Sequence, residues 1–150
     1  KTQFNKNYNK LKKKYEKILV ENYIPGKEIQ VAIMGEKALG AIELVPKRQF
    51  YDYTAKYSSN AKTKHIMPAD LEQKKYKEVL FLGKKAHKLL GCRGITRSDF
   101  RFYNDKFYLL ETNTQPGMTK LSLVPEIANY CGIKFEDLVD WMLKDASTNR

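Results

Sequence analysis

Apolar residues along this chain recur at two different spacings, which predict where helices and strands lie. Near the start, one helical stripe stands out among lysines and consists of Phe4, Tyr8, Leu11 and Tyr15. Shorter apolar runs follow at residues 18–24, 29–33 and 38–45. The first run predicts a strand interrupted near Pro25-Gly26, and the other two predict a hairpin that turns at residues 34–37.

The middle of the chain loses this regularity and then recovers it in a long helix. Residues 46–68 show no period but contain several aromatic side chains, which predicts a long, ordered and functional loop. The clearest helix is predicted to begin at Asp70 as N-cap, with Gln73 three residues later, and to end at Gly91. Two further amphipathic helices are predicted at residues 123–130 and 135–143.

Two histidines lie in these segments, and neither carries a predicted role. His65 is on the long loop, and His87 is on a helix rich in lysine. A histidine in such surroundings is usually solvated, so both are predicted to be exposed.

Between the predicted helices lie two apolar strands whose ends carry polar side chains. Arg97 and Asp99 belong to the first strand, and Glu111 and Asn113 belong to the second. Carboxylates add no core stability among Phe and Leu residues, so such a charge needs a partner. Carboxylate and amide oxygens beside an arginine suit Mg²⁺ that itself holds phosphate oxygens. The alternative is an edge hairpin with solvated charges.

The pairing of these two strands decides between the alternatives. Because side chains alternate between the faces of a strand, a two-residue turn at residues 104–105 puts Asp99 and Glu111 on opposite faces. A three-residue loop, or one bulged residue in the turn, pairs Arg97 with Glu111 instead. Asp99 then pairs with Leu109, and all the polar groups share one face. The metal interpretation therefore requires a turn of odd length or a bulged turn.

The chain has 150 residues and a formal net charge of +11. Basic proteins often bind nucleic acid. Here the cations are mainly lysines spread over predicted helices, an arrangement typical of a solvated face. Base readout is better served by arginine forks and interleaved aromatic side chains. A basic nucleic-acid-binding module without catalysis is retained as the alternative function.

The sequence also predicts the cellular compartment of the protein. No apolar run approaches the ~20 residues that span a bilayer, and no signal-peptide pattern opens the chain. The cysteines are Cys92 and Cys131 alone, which predicts reduced thiols and neither a metal site nor a disulfide scaffold. These features predict a cytoplasmic protein that has no contact with a membrane.

Four motifs in a fixed order resemble the C-terminal part of the D-alanine–D-alanine ligases, which are ATP-grasp enzymes of bacterial cell-wall synthesis. They are ENYIPGKE at 21–28, FYDYTAKY at 50–57, GCRGITRSD at 91–99 and ETNTQPGMTKLSLVP at 111–125. The resemblance implies an α+β fold, in which a mostly antiparallel sheet is flanked by helices. It also implies the ATP-dependent joining of two D-alanines through an acyl-phosphate.

Carried over by position, the resemblance assigns roles in binding the nucleotide and the metals. The adenine pocket would be lined by Glu21, Asn22, Tyr23 and Ile24. Glu28 would hold the ribose hydroxyls. Of two Mg²⁺ or Mn²⁺ ions, Asp99 would bind one, Asn113 the other, and Glu111 would bridge both.

The resemblance further assigns residues to the acyl centre and the acceptor. Arg97 would stabilise developing negative charge, with the Gly117 backbone N–H as an oxyanion donor. Ser122 and Leu123 lie where a helix N-terminus would receive the carboxylate of the second D-alanine.

The aromatic loop resembles the mobile lid of the family. Lys56 would reach the terminal phosphate, and Tyr57 would close over the acceptor. Tyr at this position is similar to members that make D-Ala–D-Ala, whereas Phe is typical of those that make D-Ala–D-lactate. The alternatives are a solvated lysine and a tyrosine that packs on the surface.

The resemblance also implies what residues 1–150 do not encode. The N-terminal domain of the family and the small half of its ATP-grasp domain have no counterpart here, so the chain is predicted to be inactive alone. Its partners would be ATP, D-alanine and the missing N-terminal part of the same enzyme, without nucleic acid or membrane. A homodimer of the intact enzyme is compatible with the resemblance.

Overall fold

The structure is a computed structural model, which describes residues 2–46, 63–119 and 121–148. The described strands are β1 (Lys27–Met34), β2 (Lys37–Val45), β3 (Lys64–Ile66), β4 (Ile95–Tyr103) and β5 (Lys106–Asn113). The described helices are α1 (Thr2–Lys12), α2 (Gln73–Leu89), α3 (Leu123–Tyr130) and α4 (Phe135–Asp145).

The five strands form one antiparallel sheet in the order β3-β2-β1-β4-β5. The central strand β1 lies between two hairpin partners, β2 and β4, and is buried over nearly its whole length. Helix α2 packs on one face of the sheet, and α3 packs on the other, with α4 beside it. The predicted α+β fold, a mostly antiparallel sheet flanked by helices, is confirmed.

Each face of the sheet has its own apolar core. Towards α2, the fully buried side chains include Ile29, Val31 and Val79. A Cβ added to Gly83 would lie 2.8 Å from Val31 Cγ1, so the missing side chain lets α2 approach β1 closely. Full burial of one such side chain stabilises the fold by roughly 1.5–3 kcal/mol.

The second core lies between the sheet and the two C-terminal helices. Ile42, Ile127 and Leu138 are fully buried there. Trp141 of α4 packs partly against this cluster, as its position on an amphipathic helix indicated. This face of the sheet continues beyond the helices as a polar surface, where the candidate site lies.

The strand predicted at residues 18–24 is wrong. These residues form no regular structure, and Leu19 and Tyr23 are exposed. The segment leads directly into β1, whose two sides are taken by β2 and β4, and it pairs with neither edge strand of the sheet, β3 or β5.

The predicted start of the long helix is also wrong. The Asp70 carboxylate lies 2.9 Å from Lys27 Nζ instead of capping a helix. Helix α2 begins three residues later, with Glu72 as an N-cap that makes no side-chain capping bond. A tertiary ion pair therefore replaced the predicted local hydrogen bond.

The predicted long loop is only partly covered by the structure. Residues 64–66 form the short strand β3, which the aperiodic sequence did not predict. Residues 47–62, with Lys56 and Tyr57, lie outside the described residues. Among the helices that are described, none is both long and apolar enough to cross a membrane.

Candidate metal and acceptor site

The β4-β5 hairpin turns through two residues, Asn104 and Asp105, whose φ angles are 48° and 61°. Positive φ at both central positions is the geometry of a type I′ turn, whose twist matches that of the flanking strands. Asn and Asp tolerate this backbone region better than most residues. The turn itself is therefore the two-residue kind.

A bulge farther from the turn changes the pairing. Phe100 pairs with Leu109, whereas the preceding residue, Asp99, pairs with Glu111. Leu110 is thus an extra residue on β5, and the strand bends there. As a result Asp99 and Glu111 are direct cross-strand neighbours on one face.

Beyond the bulge the regular alternation places the remaining polar groups on that face. Arg97 pairs with Asn113, two residues along each strand from the Asp99–Glu111 pair. The predicted convergence on one face is confirmed. The predicted partners, Glu111 for Arg97 and Leu109 for Asp99, are wrong because the extra residue lies in β5 and not in the turn.

The centre of this polar face is an ion pair between Arg97 and Asp99. Arg97 Nε lies 2.7 Å from Asp99 Oδ1, and Nη2 lies 2.9 Å from Oδ2. Each side chain is only 10% exposed. Glu111 Oε1 is 3.8 Å from Arg97 Nη2 and is 60% exposed. One carboxylate is therefore buried and neutralised by a two-bond arginine fork, while the other faces outwards.

The polar face continues onto the central strand. Gln30 pairs with Asp99, and Glu28 pairs with Arg101, whose Nη2 lies 3.4 Å from Glu28 Oε2. Gln30 is 1% exposed. Its Oε1 accepts no hydrogen bond, a condition that only one other buried side-chain oxygen of the described residues shares. A buried acceptor without a donor does not stabilise the fold. Its position beside Asp99 therefore indicates that packing alone does not explain the polarity of this face.

Asn113 is oriented by a local hydrogen bond. Its Oδ1 accepts the backbone N–H of Gln115 at 2.9 Å. This bond fixes the side chain at the end of β5 and leaves the second lone pair of the oxygen available.

The donor set fits a magnesium site. The described residues contain no group of three or more His, Cys, Asp and Glu side chains that could hold a metal. The polar face instead combines two carboxylates and one amide, Asp99, Glu111 and Asn113, and all three offer hard oxygen ligands. Mg²⁺ commonly uses one or two carboxylates and takes its other ligands from substrate phosphates and water.

The loop that follows β5 is organised by Ser122. Ser122 Oγ accepts the Thr119 N–H at 2.9 Å, and it makes no side-chain capping bond to α3. A Cβ on Gly117 would lie 2.9 Å from the same Oγ, so only glycine fits there without displacement. The Leu123 side chain is buried in the core, which leaves its backbone N–H as the group able to meet a ligand.

The residues predicted to line the adenine pocket enter β1 from an irregular segment. Glu21, Asn22 and Tyr23 are exposed, and Ile24 is partly buried. Glu28 is the only predicted nucleotide-binding residue among those described that lies in the sheet, on the same face as Asp99.

Sequence reasoning missed the burial of His87. This side chain is 6% exposed, and its Nδ1 lies 2.8 Å from Thr96 Oγ1. Burial lowers the pKa of His87, and a hydrogen bond to the Cys92 backbone together with the charge of Glu36 opposes this shift. The predicted solvated state is wrong because His87 continues the buried stripe of α2 that includes Val79. The lysines around His87 indicate a solvated face, whereas its position one turn after Gly83 places it on the buried one.

His65 is exposed, as predicted, but its side chain has a specific partner. Its Nδ1 lies 2.7 Å from Glu126 Oε2, so β3 and α3 are joined by a side-chain hydrogen bond that the sequence did not predict. The two residues are 61 positions apart, a separation that local patterns do not reach.

Comparison with known proteins connects this geometry to a family. Residues 1–144 match the family model described as the C-terminus of D-ala D-ala ligase. A D-alanine–D-alanine ligase of Pelagibacter ubique is 62% identical over 141 residues, which cover 94% of this chain and 46% of that protein.

Solved structures agree with this relationship. A D-alanine–D-alanine ligase from Bacillus anthracis complexed with ATP has a TM-score of 0.80 at 28% identity, covering 97% of this chain and 47% of that one. The VanG D-Ala:D-Ser ligase from Enterococcus faecalis has a TM-score of 0.70 at 28% identity, covering 83% of this chain and 37% of that one. The chain spans between 37% and 47% of the length of these proteins. It belongs to the family of the D-alanine–D-alanine ligases, whose C-terminal part it matches.

Proposed function

We propose that this chain is the part of a D-alanine–D-alanine ligase that holds the metal ions and the second substrate. The intact enzyme would join two D-alanines through an acyl-phosphate, with consumption of ATP, for peptidoglycan precursor synthesis in the cytoplasm. The observation that carries the proposal is the bulged hairpin, which sets Arg97, Asp99, Glu111 and Asn113 on one face. Family membership supports it and leaves the nucleic-acid-binding alternative without support.

Three residues of this face would hold two divalent cations. Asp99 would bind one Mg²⁺ or Mn²⁺, Asn113 the other, and Glu111 would bridge them. Bound there, the ions would neutralise the charge of the transferring phosphate oxygens. The exposure of the Glu111 carboxylate, at 60%, leaves it accessible to incoming ligands.

Arg97 would act on the acyl centre. Its guanidinium donates two hydrogen bonds to a single carboxylate, so its orientation is fixed before substrate arrives. It would stabilise the negative charge that develops when the acceptor amine attacks the acyl-phosphate. The Gly117 backbone N–H would donate to the same oxyanion, and the close approach of Ser122 supports the need for glycine there.

The second D-alanine would place its carboxylate at the N-terminus of α3. The first backbone N–H groups of a helix lack internal partners, and the helix dipole favours an anion there. Ser122 makes no side-chain cap to these groups. The Ser122 hydroxyl and the Leu123 N–H would be the donors.

The remaining roles follow from the family relationship. Glu21, Asn22, Tyr23, Ile24 and Glu28 would bind adenine and ribose. Lys56 would contact the terminal phosphate, and Tyr57 would lie over the acceptor and favour D-alanine. Since the first-substrate contacts and the small half of the ATP-grasp domain would come from the rest of the enzyme, the isolated chain would form no dipeptide.

The decisive variant in the intact enzyme is Glu111→Gln. Losing the bridging charge should lower phosphate release with ATP, Mg²⁺ and D-alanine at least ~100-fold, the usual scale for removing one electrostatic contribution to a transition state. The matched control is Glu72→Gln, which changes an exposed glutamate that makes no capping bond. Wild-type turnover in Glu111→Gln would refute the metal assignment.

A further inference from the structure

The hydrogen bond between His65 and Glu126 connects an edge strand to the helix that would receive the second substrate. The side chains are 29% and 37% exposed, and Nδ1 lies 2.7 Å from Oε2. β3 has only three residues and is held by pairing with β2, where Leu44 faces His65. The edge strand of the sheet therefore makes a polar contact with α3.

Glu126 lies one turn from the proposed acceptor position. Its backbone N–H donates to the Ser122 carbonyl at 3.2 Å, and residues four apart lie on the same side of a helix. The Ser122 hydroxyl oxygen in turn accepts a hydrogen bond from the Thr119 N–H. The position of the Glu126 side chain is therefore linked to the turn that would hold the acceptor carboxylate.

The contact with His65 also determines where the Glu126 carboxylate lies relative to the position at which an anion would bind. Glu126 is an acidic residue in the first turn of α3, the same end of the helix that would receive the D-alanine carboxylate. An unpaired carboxylate there would repel the substrate carboxylate, because like charges within a few ångströms disfavour each other. Hydrogen bonding to His65 draws the Glu126 charge towards β3.

We infer that His65 is a positioning residue for the second D-alanine. By holding the Glu126 side chain towards β3, it keeps that carboxylate away from the carboxylate of the acceptor. The inference rests on the proposed role of the α3 N-terminus. It concerns the acceptor alone, since neither the nucleotide nor the metals are assigned to α3.

The test uses the intact enzyme with ATP saturating and D-alanine varied over the range that saturates the second site. In His65→Ala, the KM for the second D-alanine should rise about five- to tenfold, while kcat and the KM for ATP change less than about twofold. In the double variant His65→Ala with Glu126→Gln, the acceptor KM should return to within about twofold of wild type, because the repelling charge is gone.

The control is Glu136→Gln. This glutamate of α4 lines the same groove of about 390 Å³ as His65 and Glu126, and none of the described residues forms an ion pair with it. It should leave the acceptor KM unchanged. His65→Gln, which keeps a side-chain donor, should lie between wild type and His65→Ala, and it serves in place of His65→Ala if that variant does not fold.

Two results would overturn the inference. One is an unchanged acceptor KM in His65→Ala; the other is a rise that Glu126→Gln does not reverse, which would indicate a structural role only. Failure of the proposed function is a separate outcome, since the wild-type enzyme would then form no D-alanyl-D-alanine at any concentration, and the inference would fall with it.

Discussion

The β4-β5 hairpin and helix α1 differ in how far they are packed against the rest of the protein. The hairpin is packed against β1 over its whole first strand, and Phe100 of that strand is 2% exposed. Helix α1 has an apolar stripe of its own, yet it buries no side chain, and Phe4 is 54% exposed. An amphipathic pattern therefore tells which face of a helix is apolar but not what covers it. This difference agrees with a chain that spans slightly less than half the length of its relatives.

The largest expected effect tests this comparison directly. Phe100→Ala should lower the free energy of unfolding by about 4 kcal/mol, because it removes a buried ring and leaves a cavity beside Phe107. Phe4→Ala should change it by less than about 0.5 kcal/mol, since the ring is exposed. Urea unfolding of the 150-residue chain measures both. Equal losses would show that α1 is packed as firmly as the hairpin.

A second variant sharpens the comparison within the polar face. Asp99→Ala should cost about 3 kcal/mol of unfolding free energy, because Arg97 remains buried without its main partner. Replacing both residues with leucine should recover most of that loss, since neither charge is then buried alone. Asp140→Ala, which breaks an exposed pair with Lys144, is the control and should cost less than about 0.5 kcal/mol.

The result that would contradict this view is a double leucine variant as unstable as Asp99→Ala. Such a result would mean that the polar face, and not the unpaired arginine, determines the stability of the hairpin.

The smallest expected effect concerns pH. Because burial lowers the pKa of His87 in the folded state, the unfolded chain binds a proton there more readily. The contribution of neutral His87 to stability is therefore complete above about pH 6.5, the ordinary histidine pKa, and is lost as the pH falls towards the lowered value. The urea concentration at the unfolding midpoint should decrease as the pH is lowered from 7.5 to 5. The substitution His87→Asn should make this decrease smaller. A variant with the same pH dependence as the wild type would rule out His87 as its source.

The sequence predicted most of the elements and which polar side chains share a face, but not the contacts between distant segments. Alternation along β4 and β5 correctly indicated that the polar groups could share a face and that this needed an extra residue. That the extra residue is Leu110 of β5, and not a residue of the turn, is a property of how the two strands pair, which alternation alone does not determine.

The failures have the same origin. Asp70 has the residue type of an N-cap, yet Lys27, 43 positions away, binds its carboxylate. His87 lies on a lysine-rich helix, yet Thr96 of β4 completes its surroundings. Local patterns describe the preferences of a segment, and the neighbours it meets after folding decide which preference is satisfied.

The bulge at Leu110 has a consequence for recognising such sites in genomes. Because one residue of β5 is taken up without a partner, the number of residues between Asp99 and Glu111 does not by itself determine whether the two carboxylates meet. A search template with a fixed gap would reject homologous hairpins that have lost or gained this residue, although the same two side chains could still oppose each other. A template defined by cross-strand neighbours would retain them.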